Sequence, residues 1–208
     1  MGKPNGITVH LLRVGETIWD KDGRAIGQSD LPMTQPGSDM VVKAIRVFEP
    51  LNPISLVLTS QEESAIRSSR LLVSSTEVKV KSLDALSNVG LGLWEGVLLS
   101  DLEDRCPTVY SQWQDAPERI TPPEGESFFD AQDRMVTSII KSMSKLKGPH
   151  PTIAIVLRPW AWAIVRCWLR EQKICDIWSQ LDQPIEVETF EITKSQLDSY
   201  QRRTKVSA

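Results

Sequence analysis

The chain has 208 residues, 40% hydrophobic and 25% charged, ordinary proportions for a globular protein with a sizeable core. A formal net charge of −3, with no basic run beyond Arg202-Arg203, argues against a nucleic-acid partner. No apolar stretch reaches the roughly 18 residues of a membrane span, and residues 1–6 carry no apolar leader core.

In chain order, residues 7–12 form a short apolar run, β-branched at its start, that suits a strand buried on both faces. The run ends in Arg13, Gly15 and a polar turn. In an open α/β sheet, ligands sit outside the carboxyl ends of the strands, which places Arg13 to meet an anion or to stand as a plain surface charge. A Gly/Asp/Pro-rich loop follows to Pro36. Met40, Val41, Ala44, Ile45, Val47 and Phe48 make a helical stripe closed by Pro50 and Pro53. Residues 54–58 read as the second strand. Thr59-Ser60 ends it and caps a helix whose first turn carries Glu62 and Glu63. Its inner face is Ala65, Ile66, Ser69, Leu71 and Leu72, and residues 78–80 are a short strand.

Residues 86–96 are Gly-rich and too irregular for helix or strand. Residues 98–113 are mixed and broken by Pro107, and 117–125 hold three prolines in a loop. A long amphipathic helix is predicted over 127–147, a strong buried strand over 153–157, and a helix from Pro159 to about Arg170. Ile185, Val187 and Thr189 alternate with glutamates as an edge-like last strand, and the polar tail from about 195 is expected to fray. Strands alternating with helices imply an α/β fold with a mainly parallel sheet covered on both faces. No repeat or linker divides the chain, so one domain over 1–208 is expected. The three cysteines, Cys106, Cys167 and Cys175, are odd in number without a CxxC and read as reduced thiols in a cytoplasmic protein. No metal or cofactor is expected.

The stretch Leu11-Leu12-Arg13-Val14-Gly15-Glu16-Thr17 resembles the Arg-His-Gly-Glu-Thr signature of the histidine phosphatase superfamily, the phosphoglycerate-mutase-like proteins. Trp19, Asp20, Gly23-Arg24, Gly27-Gln28, Asp30-Leu31-Pro32-Met33-Thr34 and Gly37 continue it without gaps. Gly92-Leu93-Trp94-Glu95-Gly96 resembles the family's Gly-x-Trp-Glu-Gly, and Pro123-Glu124-Gly125-Glu126-Ser127 its Gly-Glu-Ser segment. The resemblance spans about 7–165. It implies a three-layer α/β/α sandwich, with residues 85–125 as an insertion over the sheet's carboxyl edge.

It also implies a set of roles. Histidine-mediated phosphoryl transfer needs an attacking imidazole, cations around the phosphate and an acid for the leaving oxygen. Val14 occupies the nucleophile's position and has no lone pair. The neighbouring arginine is kept as Arg13. The second family arginine falls on Ser64, with Arg67 three residues on, placed either to replace that charge or to face Glu63 or solvent. The proton donor falls on Asn88, and the second histidine on Arg158. His10 lies roughly 13 Å up the first strand at about 3.3 Å per residue, and His150 lies at the opposite edge of the sheet, so neither reaches the site. Cys106 lacks a histidine partner in the sequence and reads as an inert thiol.

Arg13, Arg158 and Arg67 are therefore the candidate anion-binding residues. Arg158 alternatively pairs with Glu16 or Glu95, and Pro159 and Trp160 are bulky enough to close the pocket. Seven tryptophans crowd the chain, Trp160, Trp162 and Trp168 on one helix, as core or as a ligand platform. The expectation is a chain that is not an enzyme, binding a phosphorylated small molecule or a protein partner, with degenerate positions Val14, Ser64, Asn88 and Arg158. Two alternatives stay open: an active phosphatase or mutase with an atypical site, and a purely structural interaction module.

Overall fold

A computed structural model describes residues 6–74, 76–174 and 177–206. In chain order the elements are β1 (Gly6–Arg13), α1 (Ile18–Lys21), α2 (Gln35–Arg46), β2 (Leu56–Thr59), α3 (Glu63–Leu72) and β3 (Lys79–Ser82). They continue as α4 (Leu99–Arg105), α5 (Pro107–Asp115), α6 (Phe128–Met143), β4 (Thr152–Leu157), α7 (Pro159–Leu169), α8 (Ile177–Leu181), β5 (Val187–Thr193) and α9 (Lys194–Val206). The sheet order is β3-β2-β4-β1-β5. The first four strands in that order run parallel, and β5 runs antiparallel to β1 at the edge.

Strand periodicity sorts the core into two clusters. Ile7, Val9, Leu11, Leu58, Ile153, Ile155 and Leu157 face one side, against α6 and α7. Leu12, Val14, Val57, Ala154 and Val156 face the other, against Val41 and Ala44 of α2 and Ala65 of α3. This is the three-layer α/β/α arrangement. All six residues of β4 are buried, as a central parallel strand requires.

The helix starts follow local chemistry. The Thr34 hydroxyl accepts from the Gly37 N–H at 3.1 Å and caps α2, with Pro36 in its first turn. The Ser127 hydroxyl accepts from the Asp130 N–H at 3.1 Å and caps α6. Thr17 and Asp20 close a capping box on α1, Asp20 Oδ2 accepting from the Thr17 amide at 2.6 Å and its hydroxyl at 2.7 Å. Pro107 divides the mixed stretch into α4 and α5.

Two expectations are corrected here. Thr59-Ser60 does not cap α3: Glu62 is its N-cap residue, and the Thr59 hydroxyl donates instead to the Val156 carbonyl at 2.9 Å. The polar tail is the helix α9, because Leu197 is buried and Tyr200 lies against Trp168 with ring centroids 5.0 Å apart. Cys175 and residues 1–5 lie outside the described residues. Among the described residues no helix is long and apolar enough to cross a membrane.

Candidate functional site at the carboxyl end of the sheet

The parallel strands bring Arg13, Thr59, Ser82 and Leu157 to one end of the sheet. Arg13 pairs in register with Leu157, and the Val14 N–H donates to the Leu157 carbonyl at 2.9 Å. Positions 14 and 158 are therefore neighbours across two strands. The motif loop is pressed against the start of α2 so closely that a Cβ on Gly15 would stand 2.2 Å from the Gly37 carbonyl oxygen. Only glycine fits there.

Beside this loop lies a cavity of about 350 Å³. Val14, Gly15 and Pro159 line it with Arg13, Glu16, Asp20 and Arg24, and Trp160, Trp178 and Leu181 form an apolar wall. The tryptophans belong to a packed cluster. Trp113 stacks on Trp160 at 5.4 Å, and Trp178 meets both edge-on at 5.0 and 4.7 Å. Trp160 thus serves the core and edges the cavity without filling it.

The candidate cations divide sharply. Arg13 donates to the carbonyl oxygens of Leu181 and Gln183 at 2.5 and 2.8 Å, and lies over the Trp162 ring at 5.3 Å. Arg166 approaches the same ring at 5.1 Å and pairs with Glu188 at 2.5 Å. Arg13 is spent on holding the end of α8. Arg67 is exposed and does not reach the site: the buried stripe of α3 is Ser64, Ala65, Ser68 and Ser69, which turns position 67 outward.

Arg158 is different. It is fully buried at the start of α7, and Nη1 donates to the Ser64 hydroxyl at 3.0 Å. Nε and Nη2 have no hydrogen-bond partner among the described residues. Burial pushes its pKa below the ordinary arginine value, opposed by Asp20, Glu62, Asp30 and Glu95. Among the described residues no carboxylate lies within salt-bridge distance of it. Glu95 is held by the Gln28 amide at 2.7 Å and the Ser29 hydroxyl at 2.6 Å, while the Thr34 hydroxyl donates to Glu16 at 3.1 Å.

Asn88 is a structural clamp. Its Nδ2 donates to the Ile26 and Gly27 carbonyls at 2.9 and 3.1 Å, and its Oδ1 accepts from the Ala161 N–H at 3.0 Å. Only a carboxamide both donates and accepts in this way. The segment around it is pinned by Arg134, which donates to the Ala85, Ser87 and Asn88 carbonyls and pairs with Glu126 at 2.5 Å. His10 is buried and faces Thr189 at 2.9 Å, while His150 is exposed ahead of β4. Cys106 is exposed and Cys167 buried.

Sequence reasoning missed Glu62, treating it as one of two acids at a helix start. It is buried, its Oε1 accepts from the Asn88 N–H at 3.3 Å, and its Oε2 has no partner among the described residues. The available signal was its place three residues past Thr59 at the carboxyl end of β2, where a helix-starting acid turns inward.

The position of Ser64 also has a new meaning. The side chain there is short, and the guanidinium of Arg158 reaches it from β4. The cation beside α3 thus comes from the end of the neighbouring strand.

A family model for the histidine phosphatase superfamily (branch 1) matches residues 9–202. A protein of Serratia proteamaculans named "Probable phosphoglycerate mutase GpmB" is 28% identical over 148 residues, 71% of this chain and 68% of that one. The adenosylcobalamin/alpha-ribazole phosphatase of Escherichia coli K12 is 30% identical over 139 residues, 66% of each. Among solved structures, a mycobacterial glucosyl-3-phosphoglycerate phosphatase superposes with a TM-score of 0.70 at 20% identity, covering 89% of both chains, a likeness of fold.

These relatives overturn the expectation of a chain that is not an enzyme, because they are named for phosphatase and mutase activities. That expectation rested on Val14 at the nucleophile's position and Asn88 at the proton donor's, with Ser64 and Arg158 also differing from the family's residues. With its motifs at the carboxyl ends of a mainly parallel sheet, and with the family's model spanning nearly its whole length, the chain belongs to the histidine phosphatase superfamily, branch 1.

Proposed function

We propose that the chain is a phosphatase-type enzyme with an atypical site, acting on the phosphate monoester of a small molecule. One observation carries this reading: the fully buried Arg158 guanidinium with two unpartnered donor nitrogens beside Val14 and Ser64. A buried cation whose donors are unmet by its own protein has a strong demand for an oxyanion. The cavity beside the motif loop is lined by Val14 and by Pro159, the residue that follows Arg158. Val14 cannot take up a phosphoryl group, so transfer goes to water, and the site supports hydrolysis in preference to a mutase relay. The relatives' names favour the same class, a phosphorylated small molecule. The chain then works as one domain, with residues 85–125 over the site, and a cytoplasmic setting suits the exposed Cys106 thiol.

The test is turnover of a panel of sugar, nucleoside and aryl phosphates by the repurified protein, with Arg158→Met and Arg158→Lys beside it. Loss of one such charge-stabilising donor set costs on the order of 100-fold. Turnover that Arg158→Met leaves unchanged, or none by the wild type on any member, overturns the proposal. Phosphate binding without turnover would leave the anion site standing and remove only the hydrolytic step.

A further inference from the structure

The strongest feature that this reading leaves unused is Glu62. Its carboxylate lies at the start of α3, two residues before Ser64, the partner of Arg158. It is only 5% exposed. Its Oε1 is tied to the Asn88 N–H, and Asn88 in turn holds Ala161, three residues beyond Arg158. Its Oε2 is unpartnered among the described residues. Arg158 and Glu62 feel one another's charge, and among the described residues no salt bridge joins them. The Ser60 hydroxyl, at the carboxyl end of β2, is also buried and unpartnered. Among the described residues, two guanidinium donors, one carboxylate acceptor and one hydroxyl therefore stand unsatisfied at one end of the sheet.

Buried polar groups left in this state are costly, and the cost is relieved by a ligand with the complementary pattern. The donors demand oxyanion oxygens, whereas the carboxylate repels a bare oxygen and accepts from a hydroxyl. One small ligand carries both features: a tetrahedral oxyanion that still bears a proton.

We infer that Glu62 is a specificity-determining residue that selects protonated oxyanions, the singly protonated phosphate ester or released hydrogen phosphate, over unprotonated ones such as sulfate. The inference rests on the anion site proposed above and deepens it. Arg158 Nε and Nη2 donate to two phosphate oxygens, and the P–OH donates to Glu62 Oε2. Sulfate at neutral pH has no proton to offer, so its fourth oxygen meets a carboxylate, and a buried unpaired acceptor opposite an anion defeats binding. A Gln at position 62 would present an N–H in place of that carboxylate oxygen and remove the discrimination.

The experiment is a thermal-unfolding titration with inorganic phosphate and with sulfate at matched ionic strength and fixed neutral pH. It uses the wild type, the near-isosteric Glu62→Gln, and Arg158→Met, which measures stabilisation by salt alone. A phosphate shift above the Arg158→Met level, with sulfate at that level, is expected for the wild type. In Glu62→Gln the two anions should stabilise alike. If Arg158→Met fails to fold, chloride at matched ionic strength sets the salt level for the wild type. Equal wild-type shifts with both anions, each lost in Arg158→Met, overturn the role of Glu62 while the anion site survives. No shift above that level with either anion overturns the site and the selectivity together.

Discussion

Two arginines end adjacent parallel strands and have opposite fates. Arg13 is the last residue of β1 and Arg158 follows β4, and Arg13 pairs in register with Leu157. Arg13 is satisfied by its own chain, through the carbonyls of Leu181 and Gln183 and the face of Trp162. Arg158 is more deeply buried, and among the described residues its guanidinium makes one hydrogen bond, to Ser64. A charged side chain at a strand end is therefore not a binding group by position alone. It becomes one when the fold buries it and leaves its donors unmet, because a protein that could satisfy it internally would already have done so.

The sharpest way to probe this contrast is at the clamp beside Arg158. Asn88→Asp replaces two donated hydrogen bonds with a buried carboxylate facing two carbonyls and close to Glu62. It is expected to destabilise the protein by about 3 kcal/mol, read by urea unfolding near neutral pH. An unchanged denaturation midpoint would mean that position 88 is open to an acid after all.

Arg13→Met comes next. It removes two charged hydrogen bonds and a cation–π contact, at a cost of about 2 kcal/mol in the same assay. It should leave the phosphate-dependent thermal shift in place. If Arg13→Met abolishes that shift while folding normally, the two arginines are not different in kind and the comparison fails.

The smallest effect lies at His10, on the opposite face of β1 from α6 and α7. Burial lowers its pKa below the ordinary histidine value, with Glu191 opposing. The neutral imidazole is then favoured in the folded state. Stability is full above about pH 6.5 and falls as pH drops below it, where the unfolded chain takes up the proton first. The slope from this residue is at most about 1.4 kcal/mol per pH unit. His10→Gln should flatten the acid side of the stability profile, measured between pH 5 and 8. A slope unchanged by the substitution would assign the acid sensitivity elsewhere.

Much of the scaffold was legible in the sequence. The β-branched run before Arg13, the unbroken apolar stretch of β4 and Pro159 at the start of α7 each declare their element by local chemistry. The tail was not legible: α9 has a polar sequence, and its buried Leu197 and the Tyr200–Trp168 contact exist only once α7 is in place. The candidate site was half legible. Val14, Ser64, Asn88 and Arg158 could be placed by motif and spacing, but their partners could not. Glu62 looked like a helix-start acid, and Arg67 looked as eligible as Arg158.

By itself, the sequence determined which residues reach the carboxyl end of the sheet, because strand and helix periods are local properties of the chain. Tertiary structure alone decided that Ser64 receives the Arg158 guanidinium, that Arg13 is occupied by the carbonyls of Leu181 and Gln183, and that Glu62 turns inward beside Asn88. Those are pairings between residues 26 to 170 positions apart. Hydrogen-bond satisfaction depends on which distant groups the fold brings within about 3 Å, a distance that no local pattern encodes.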